Sequence, residues 1–222
     1  MESIGLIAAV HQELKPLVRD WERCTALFRG QVGSTEAIAI AAGMGTSAAL
    51  RGCEAALAAG PIDSLVSIGY AGSVSCGLQA GAAYPIREVI DAATGETFLT
   101  QCEKGQRLIT LDRVAGPDEK RRLALEHKAV LVDMEAAAVA RFAREHNLRF
   151  LCFKAVTDGP NDKLPDFNRF VSPKGEWCMT PFVTYLAFHP QYWGAVRRLA
   201  RNSNAASLDL ANLVHRFFAG TQ

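Results

Sequence analysis

The sequence lacks the features that mark secreted, membrane-spanning or metal-knuckle proteins. None of its six cysteines belongs to a Cys-x-x-Cys pair, and several lie in apolar runs. This usage is typical of reduced, buried thiols in the cytosol and argues against both a disulfide framework and a zinc knuckle. No apolar run reaches membrane-spanning length, and no basic leader precedes the first apolar stretch. We therefore expect a cytoplasmic protein without a bound metal.

An excess of charge of one sign is also missing. The chain has 24 Lys and Arg against 23 Asp and Glu, a formal net charge of +1, and 49% of its 222 residues are hydrophobic. This balance excludes disorder and gives no electrostatic grip on nucleic acid, so small molecules are the expected partners. Because no internal repeat or low-complexity segment is present, we expect a single α/β domain over residues 1–222.

The most informative stretch runs from residue 129 to 162. Its apolar runs at 129–132 and 148–156 predict two buried strands, separated by a helix with apolar residues at helical spacing. Glu135 follows the first strand and Asp158 follows the second. In open α/β sheets the carboxyl ends of strands bind ligands, so their joint placement indicates a site. The alternative is that each acid only stabilises a helix start or a turn.

Two earlier strand-to-helix turns carry further candidates. Glu13 follows the apolar strand predicted over residues 4–10, although a glutamate at a helix start is more often a cap than a catalyst. Gly43-Met44-Gly45 separates the strand predicted over 37–42 from the helix predicted over 48–59. Such a glycine pair lets backbone amides approach a ligand. Neither a dinucleotide fingerprint nor a Walker motif follows it.

The remaining elements are assigned from hydrophobic period and turn signals. We predict strands at 25–32, 63–69, 83–90, 96–102 and 108–111, a loop at 164–175, and helices at 117–127, 180–188 and 191–218.

Two helical regions have charged faces. The helix over 117–127 carries Lys120, Arg121 and Arg122, and we expect it to be a solvated surface element. The last two helices place aromatic residues next to Arg197, Arg198 and Arg201. That pattern is typical of a helix lying on a membrane surface, but core or dimer packing with a basic outer face is the favoured explanation.

Four separated segments, IGLIAAVHQEL, AAGMGTSAA, IGYAGSVSCGLQAG and the pair VDMEAAAVA with FKAVTDGPND, carry a family resemblance. They resemble the methylthioadenosine/S-adenosylhomocysteine nucleosidase branch of the nucleoside phosphorylase superfamily. More narrowly, LITLDRVAGPDEKRRL followed by AVLVDMEAAAVARFA, with the arginine-bearing C-terminal helix, resembles the hopanoid-associated subgroup. Members of that subgroup are implicated in removing adenine from adenosylhopane.

The resemblance implies a three-layer αβα fold around a mixed central sheet, usually in a homodimer. It implies cleavage of the N-glycosidic bond of a 5′-substituted adenosine without an organic cofactor. Glu13 then matches the glutamate that activates water, and Asp158 the aspartate that protonates adenine at N7. Glu135 matches the residue that holds the ribose hydroxyls, and Met134 packs on the sugar. The other expected substrate contacts are Val10, Met44, Tyr70, Ala71, Gly72, Val114 and Asp133.

The chain departs from the family pattern at three places. Tyr70 stands where the nucleosidases have a serine, and Val114 stands where they place a phenylalanine that stacks on adenine. The segment over 84–133 is also shorter than usual, which removes part of the wall around the 5′ end of the substrate. An open wall would admit a bulky lipid tail, or it would reflect a degraded site.

Three functions are therefore open. The first is a hydrolase that uses water, with Glu13 as base. The second is a phosphorylase, although Ala9-Val10-His11-Gln12-Glu13 replaces the Gly-x-Pro-x-Arg-like phosphate loop that phosphorylases carry after the first strand. The third is a non-catalytic nucleoside-binding protein, because Tyr70 and Val114 alter the base pocket. The absence of the phosphate loop favours water.

Overall fold

The computed structural model describes residues 2–25, 27–172 and 174–220. Its strands are β1 (Ser3–Ala8), β2 (Glu22–Cys24), β3 (Leu27–Val32), β4 (Thr35–Ala41), β5 (Ser64–Ser73), β6 (Ala83–Asp91), β7 (Thr97–Leu99), β8 (Gln106–Thr110), β9 (Leu131–Asp133) and β10 (Arg149–Asp158). Its α-helices are α1 (His11–Leu14), α2 (Thr46–Ala59), α3 (Pro117–His127), α4 (Ala136–Glu145), α5 (Met179–Phe188) and α6 (Trp193–Phe218). Short 3₁₀ helices cover Phe167–Phe170 and Pro190–Tyr192.

The ten strands form one mixed sheet in the order β10-β6-β8-β9-β5-β1-β4-β3-β2, with β7 paired to β6. Strands β4, β1, β5 and β10 are parallel neighbours, whereas β9 runs antiparallel to β5. Because β10 pairs with both β5 and β6, the strands β5, β10, β6, β8 and β9 close into a ring. The long strand β5 belongs to both the open and the closed parts, so it lies where the two parts of the sheet meet.

Helices cover both faces of the sheet and complete the αβα layers that were expected. The alanine-rich helices α2 and α4 pack on one face around buried Ala49, Ala56 and Ala140. Helices α1 and α6 cover the other face, with Leu14 and Leu210 fully buried. Small side chains let helices approach the strands closely, and burial of the apolar surface is the main stabilising term of this fold. The predicted mixed central sheet with helices on both sides is confirmed.

Several predicted boundaries were wrong. The amphipathic helix that the sequence predicts over residues 11–18 ends at Leu14, because Pro16 has no N–H to donate to the carbonyl of Gln12. The strand predicted over 96–102 covers only Thr97–Leu99, and β5 extends four residues beyond the predicted end, to Ser73. Ala26, in the strand predicted over 25–32, lies outside the described residues.

The expectation of a solvated helix over 117–127 was wrong in one important respect. Most of the polar side chains of α3 are exposed, but Lys120 is only 3% exposed and points into the molecule. Its ammonium group forms an ion pair with Asp158 at the end of β10. A charge pattern cannot reveal this arrangement, because a lysine directed inward has the same spacing as one directed outward.

The two C-terminal helices differ in burial. Helix α6 packs along the sheet, whereas α5 has no charged residue and buries only Phe182. Phe188 is 78% exposed and Trp193 is 58% exposed. Helix α5 is therefore not packed into the core of this chain. Within the residues that the structure describes, no helix combines the length and apolar character needed to cross a bilayer.

Candidate active site

One cavity of about 570 Å³ lies at the carboxyl ends of the central strands. Cavities of roughly 300 to 1,000 Å³ are usual for small-molecule sites. The predicted site residues all line this cavity, namely Val10, Glu13, Met44, Tyr70, Ala71, Gly72, Val114, Asp133, Met134, Glu135 and Asp158. Residues from five separate strand ends therefore meet at a single cavity.

Glu13 is held rigidly by the backbone around it. Its carboxylate accepts hydrogen bonds from the N–H groups of Ala9 and Val10 at 2.8 and 2.9 Å, and from the N–H of Tyr70 at 2.8 Å. Gly69 makes this approach feasible, because a Cβ atom at that position would lie 2.7 Å from a carboxylate oxygen of Glu13. The structure thus shows a helix-start cap that also faces a cavity.

The protonation of Glu13 is shifted by its surroundings. Burial raises the pKa of Glu13 above the ordinary value of 4.5, although three backbone N–H groups and Lys154 oppose the shift. A carboxylate with a raised pKa is a stronger base than an exposed one. Glu13 can therefore accept a proton from a molecule bound in the cavity.

Glu135 is the N-cap residue of α4 and lies across the glycine loop from α2. One carboxylate oxygen accepts the N–H of Gly45 at 2.7 Å, and the other lies 3.3 Å from the N–H of Met134. Burial, followed by repulsion from Asp133, raises the pKa of Glu135 to about 7. This side chain therefore changes charge near neutral pH.

Asp133 supports the site from beneath. Its carboxylate accepts hydrogen bonds from Thr110 Oγ1 at 2.6 Å and from the N–H of Ala136 at 2.9 Å. It also pairs with Lys154 at 2.8 Å, and Lys154 donates a further hydrogen bond to Ser67 at 3.0 Å. Burial alone would lower the pKa of Lys154, but the attraction of Asp133 and the neighbouring acidic groups raises it. The carboxylate of Asp133 is thus fully engaged by protein groups, although the residue lines the cavity.

Asp158 ends β10 and lines the same cavity. One of its carboxylate oxygens pairs with the Lys120 ammonium, and the other accepts the hydroxyl hydrogen of Thr157 at 2.9 Å. Lys120 also donates to the carbonyl of Gly159 at 2.9 Å. Gly72 lies against this pair, since a Cβ atom there would be 2.9 Å from the Lys120 nitrogen. The end of β10 thus brings Asp158 to the cavity together with Lys120, a cation that the sequence did not place there.

Tyr70 lines the cavity without closing it. Its phenol oxygen lies 2.5 Å from the hydroxyl of Ser207 and 3.2 Å from the carbonyl of Ser203, both on α6. Burial raises the pKa of the Tyr70 phenol to about 12. The bulky side chain therefore ties β5 to α6, and its backbone N–H serves Glu13.

The segment predicted as a loop over 164–175 contributes Leu164 and Phe167 to the cavity wall. Trp177, which follows this segment, and side chains of α5 and α6 complete an apolar group that sequence analysis missed, namely Leu164, Phe167, Trp177, Met179, Phe182, Val196, Leu199 and Ala200. The rings of Phe167 and Trp177 lie 5.6 Å apart in an edge-to-face arrangement. The aromatic character of these two residues was the only indication of a role that the sequence offered. Nothing in the sequence placed them near the acids.

This segment also fixes the loops that carry predicted residues. Asn168 accepts the N–H of Val114 at 2.8 Å and donates to its carbonyl at 3.3 Å. Gly175 accepts the N–H of Met44 at 2.8 Å. At Gly175 a Cβ atom would lie 2.3 Å from the carbonyl of Met44, so only glycine permits this contact. The wall is therefore an integral part of the site.

The cavity combines an acidic floor with an apolar wall. Glu13, Glu135 and Asp158 face it, while Arg113 and Lys120 are the cations among its described lining residues, and both are ion-paired. Such a site suits a polar group that develops positive charge next to a flat or aliphatic group. Among the described residues, no group of three or more His, Cys, Asp or Glu side chains forms a candidate metal site.

Comparison with known proteins places the fold. Residues 108–176 match the family model described as the Phosphorylase superfamily, and a search of curated proteins found no match. Among solved structures, a mutant of the Helicobacter pylori methylthioadenosine nucleosidase holding 5′-methylthioadenosine has a TM-score of 0.76, with 13% identity over 99% of both chains. The chain has the fold of this nucleosidase.

Two further structures extend this likeness. The Streptococcus pyogenes S-adenosylhomocysteine nucleosidase has a TM-score of 0.74 and 16% identity, covering 100% of this chain and 98% of its own. The futalosine hydrolase of Helicobacter pylori has the same TM-score, with 14% identity over 99% and 98% of the two chains. The shared architecture therefore extends over the whole chain, although few residues are identical.

The raised pKa of Glu135 predicts a pH-dependent stability. A carboxyl group with a raised pKa stabilises the folded state fully below its unfolded value of 4.5, and this contribution is lost as the pH rises through about 7. We expect Glu135→Gln to remove this loss, so that the mutant gains about 1 to 3 kcal/mol relative to wild type between pH 5 and pH 8. Urea unfolding at both pH values measures the difference. The exposed Glu103→Gln is the matched control. An equal change in the free energy of unfolding between pH 5 and pH 8 in all three proteins would contradict the prediction.

Proposed function

We propose that the chain is a purine nucleosidase that hydrolyses the N-glycosidic bond of a 5′-substituted adenosine and releases adenine. The observation that carries the proposal is the meeting of Glu13, Glu135 and Asp158 on one nucleoside-sized cavity. The fold shared with enzymes named as nucleosidases supports it.

The geometry suits glycosidic cleavage. The reaction passes through an oxocarbenium-like state, which needs a base for the water and an acid for the leaving group. Glu13, with its raised pKa, accepts the proton of the attacking water. Glu135 accepts hydrogen bonds from the ribose hydroxyls and Met134 packs on the sugar, while Asp158 supplies the proton to N7 of adenine. The acidic floor stabilises the positive charge that forms on the ribose.

Water fits the cavity better than phosphate as the nucleophile. The buried Glu13 and the half-buried Glu135 line it, and the two cations among the described lining residues already pair with carboxylates. A phosphate dianion next to Glu13 would be repelled, because like charges in a poorly solvated site interact strongly. These contacts support a hydrolase over the alternative phosphorylase.

The roles of Glu13 as base and Asp158 as acid predict that loss of either group lowers activity. Glu13→Gln and Asp158→Asn should each lower kcat for adenine release by at least ~10², because a positioned proton-transfer group contributes about that much. Release should not depend on phosphate. Free adenine is measured with methylthioadenosine, S-adenosylhomocysteine and an adenosyl lipid, with and without phosphate, and Glu103→Gln is the control. Binding without release by the wild-type protein would favour the non-catalytic alternative, and strict dependence on phosphate would favour the phosphorylase.

The apolar wall supports a substrate with an apolar 5′ substituent. Val196, Leu199 and Ala200 present one side of α6 to the cavity, and Met179 at the start of α5 also lines it. We place the 5′ substituent on this side of the cavity. The adenosylhopane-like substrate of the resembled subgroup belongs to this class, as do methylthioadenosine and S-adenosylhomocysteine.

We place the adenine ring against the part of the wall that carries Phe167. Val114 lacks the ring that the family uses to stack on adenine, but Asn168 holds the Val114 loop against the helical turn that carries Phe167. Phe167 lines the cavity and offers an aromatic face. We therefore assign base stacking to Phe167.

A series of 5′-alkylthioadenosines tests both assignments. Each added CH₂ that becomes buried contributes about 0.8 kcal/mol, so kcat/KM should rise about fourfold per CH₂ until the apolar part is filled. Leu199→Asn should flatten this rise. Phe167→Ala should instead weaken all members equally, because they share the base. A flat series in the wild-type protein would contradict the apolar assignment.

We assign the exposed apolar face of α5 and the start of α6 to a homodimer interface. Monomeric soluble proteins rarely expose large apolar patches, and the resemblance implies a homodimer. Val183, Phe188 and Trp193 are all more than half exposed.

Light scattering should therefore give the mass of a dimer at micromolar concentration. Phe188→Glu should shift the protein towards the monomer, whereas Leu125→Glu, on the exposed side of α3, should not. A monomeric wild-type protein would overturn the assignment. A monomer that binds vesicles of anionic phospholipid would assign the face to a membrane surface, with Arg197 and Arg201 facing the lipid.

Two further expectations belong to the proposal. All six cysteines are free, which supports a cytoplasmic location, although Cys76 is exposed and only three thiols are buried. All ten strands belong to one sheet, which supports treating residues 1–222 as one domain.

A further inference from the structure

The ion pair between Lys120 and Asp158 is built into the wall of the cavity. Lys120 crosses from α3 to the end of β10, and its nitrogen contacts the Asp158 carboxylate and the carbonyl of Gly159. The Lys120 side chain is 4% exposed and the Asp158 side chain is 15% exposed. Burying an ammonium group is costly unless it is paired, so the local structure depends on this contact.

The surroundings of the pair fix its geometry. Thr157 donates its hydroxyl to the second oxygen of Asp158, and Gly72 leaves the room that the Lys120 ammonium occupies. Neighbouring Arg121 is 65% exposed and pairs with Asp118 on the same helix. Lys120 thus lies on the inward face of α3 together with buried Leu123, whereas Arg121 faces solvent.

We propose that Lys120 is a positioning residue that orients Asp158 and holds next to it the proton required by the leaving base. The inference rests on the proposed function. As the C1′–N9 bond breaks, its electron pair moves to adenine. The Lys120 ammonium passes a proton to the Asp158 carboxylate, and Asp158 passes it on to N7 of adenine. Water adds to C1′ and gives its proton to Glu13. Glu13 then releases that proton to solvent, and Lys120 regains one, which completes the balance.

A purely structural role makes a different prediction from this one. If Lys120 only clasps α3 to β10, its loss should impair all reactions at the site to the same degree. If it serves leaving-group protonation, its loss should matter only when the leaving group needs a proton. A 4-nitrophenyl riboside provides the contrast, because nitrophenolate departs as an anion without protonation.

The experiment compares Lys120→Met, Lys120→Arg and the control Arg121→Met on a 5′-methylthio adenosine and on the matching 4-nitrophenyl riboside. We expect Lys120→Met to lower kcat for adenine release by about 10²-fold, the usual contribution of a proton-transfer group, and to change nitrophenolate release less than about threefold. Lys120→Arg, which keeps a cation, should recover part of the adenine activity. Arg121→Met should resemble wild type.

A double-mutant cycle tests whether Lys120 acts through Asp158. In the Asp158→Asn background, Lys120→Met should cause no further loss, because residues that act as a unit are not additive. Equal losses on both substrates, or additive losses in the cycle, would overturn the inference. A wild-type protein that releases nitrophenolate but no adenine would instead refute the proposed function, which keeps the two failures apart.

Discussion

The site depends on the buried ammonium group of Lys154. It is 1% exposed in the middle of β10 and is paired with Asp133. Three carboxyl groups gather above it, those of Glu13, Asp133 and Glu135, and each would repel the others in a poorly solvated interior. The shared cation stabilises this cluster and lowers the pKa of both glutamates against the effect of burial. The acidic floor of the cavity is therefore a consequence of one lysine in the central sheet.

Burial and the charge of Lys154 shift the pKa of Glu13 and Glu135 in opposite directions. Burial raises the pKa of Glu13 and Glu135, which makes them stronger bases, while the lysine keeps the ionised forms accessible. A second lysine in the cavity lining, Lys120, pairs with Asp158. Each acid is therefore close to a buried cation, Glu13 and Glu135 to Lys154 and Asp158 to Lys120.

The apolar wall decides which molecules fit beside these acids. Residues 164–182 contribute aromatic rings to the cavity and bind the loops at Met44 and Val114 through Gly175 and Asn168. The fold alone does not specify this wall, since structures of the same architecture share only 13 to 16% of their residues with the chain. The shape of the apolar side of the cavity is thus set by these residues of this chain.

Periodicity and turn chemistry in the sequence determined the strand–helix units and the position of the three acids at strand ends. Because side chains at the carboxyl ends of neighbouring parallel strands lie at one edge of a sheet, Glu13 and Asp158 were predictable as members of one site. What only the tertiary structure decided was which distant residues join them. Lys120 resembled any surface lysine, and Phe167 lay in a segment without a period. Their placement follows from long-range packing, which local sequence patterns do not encode.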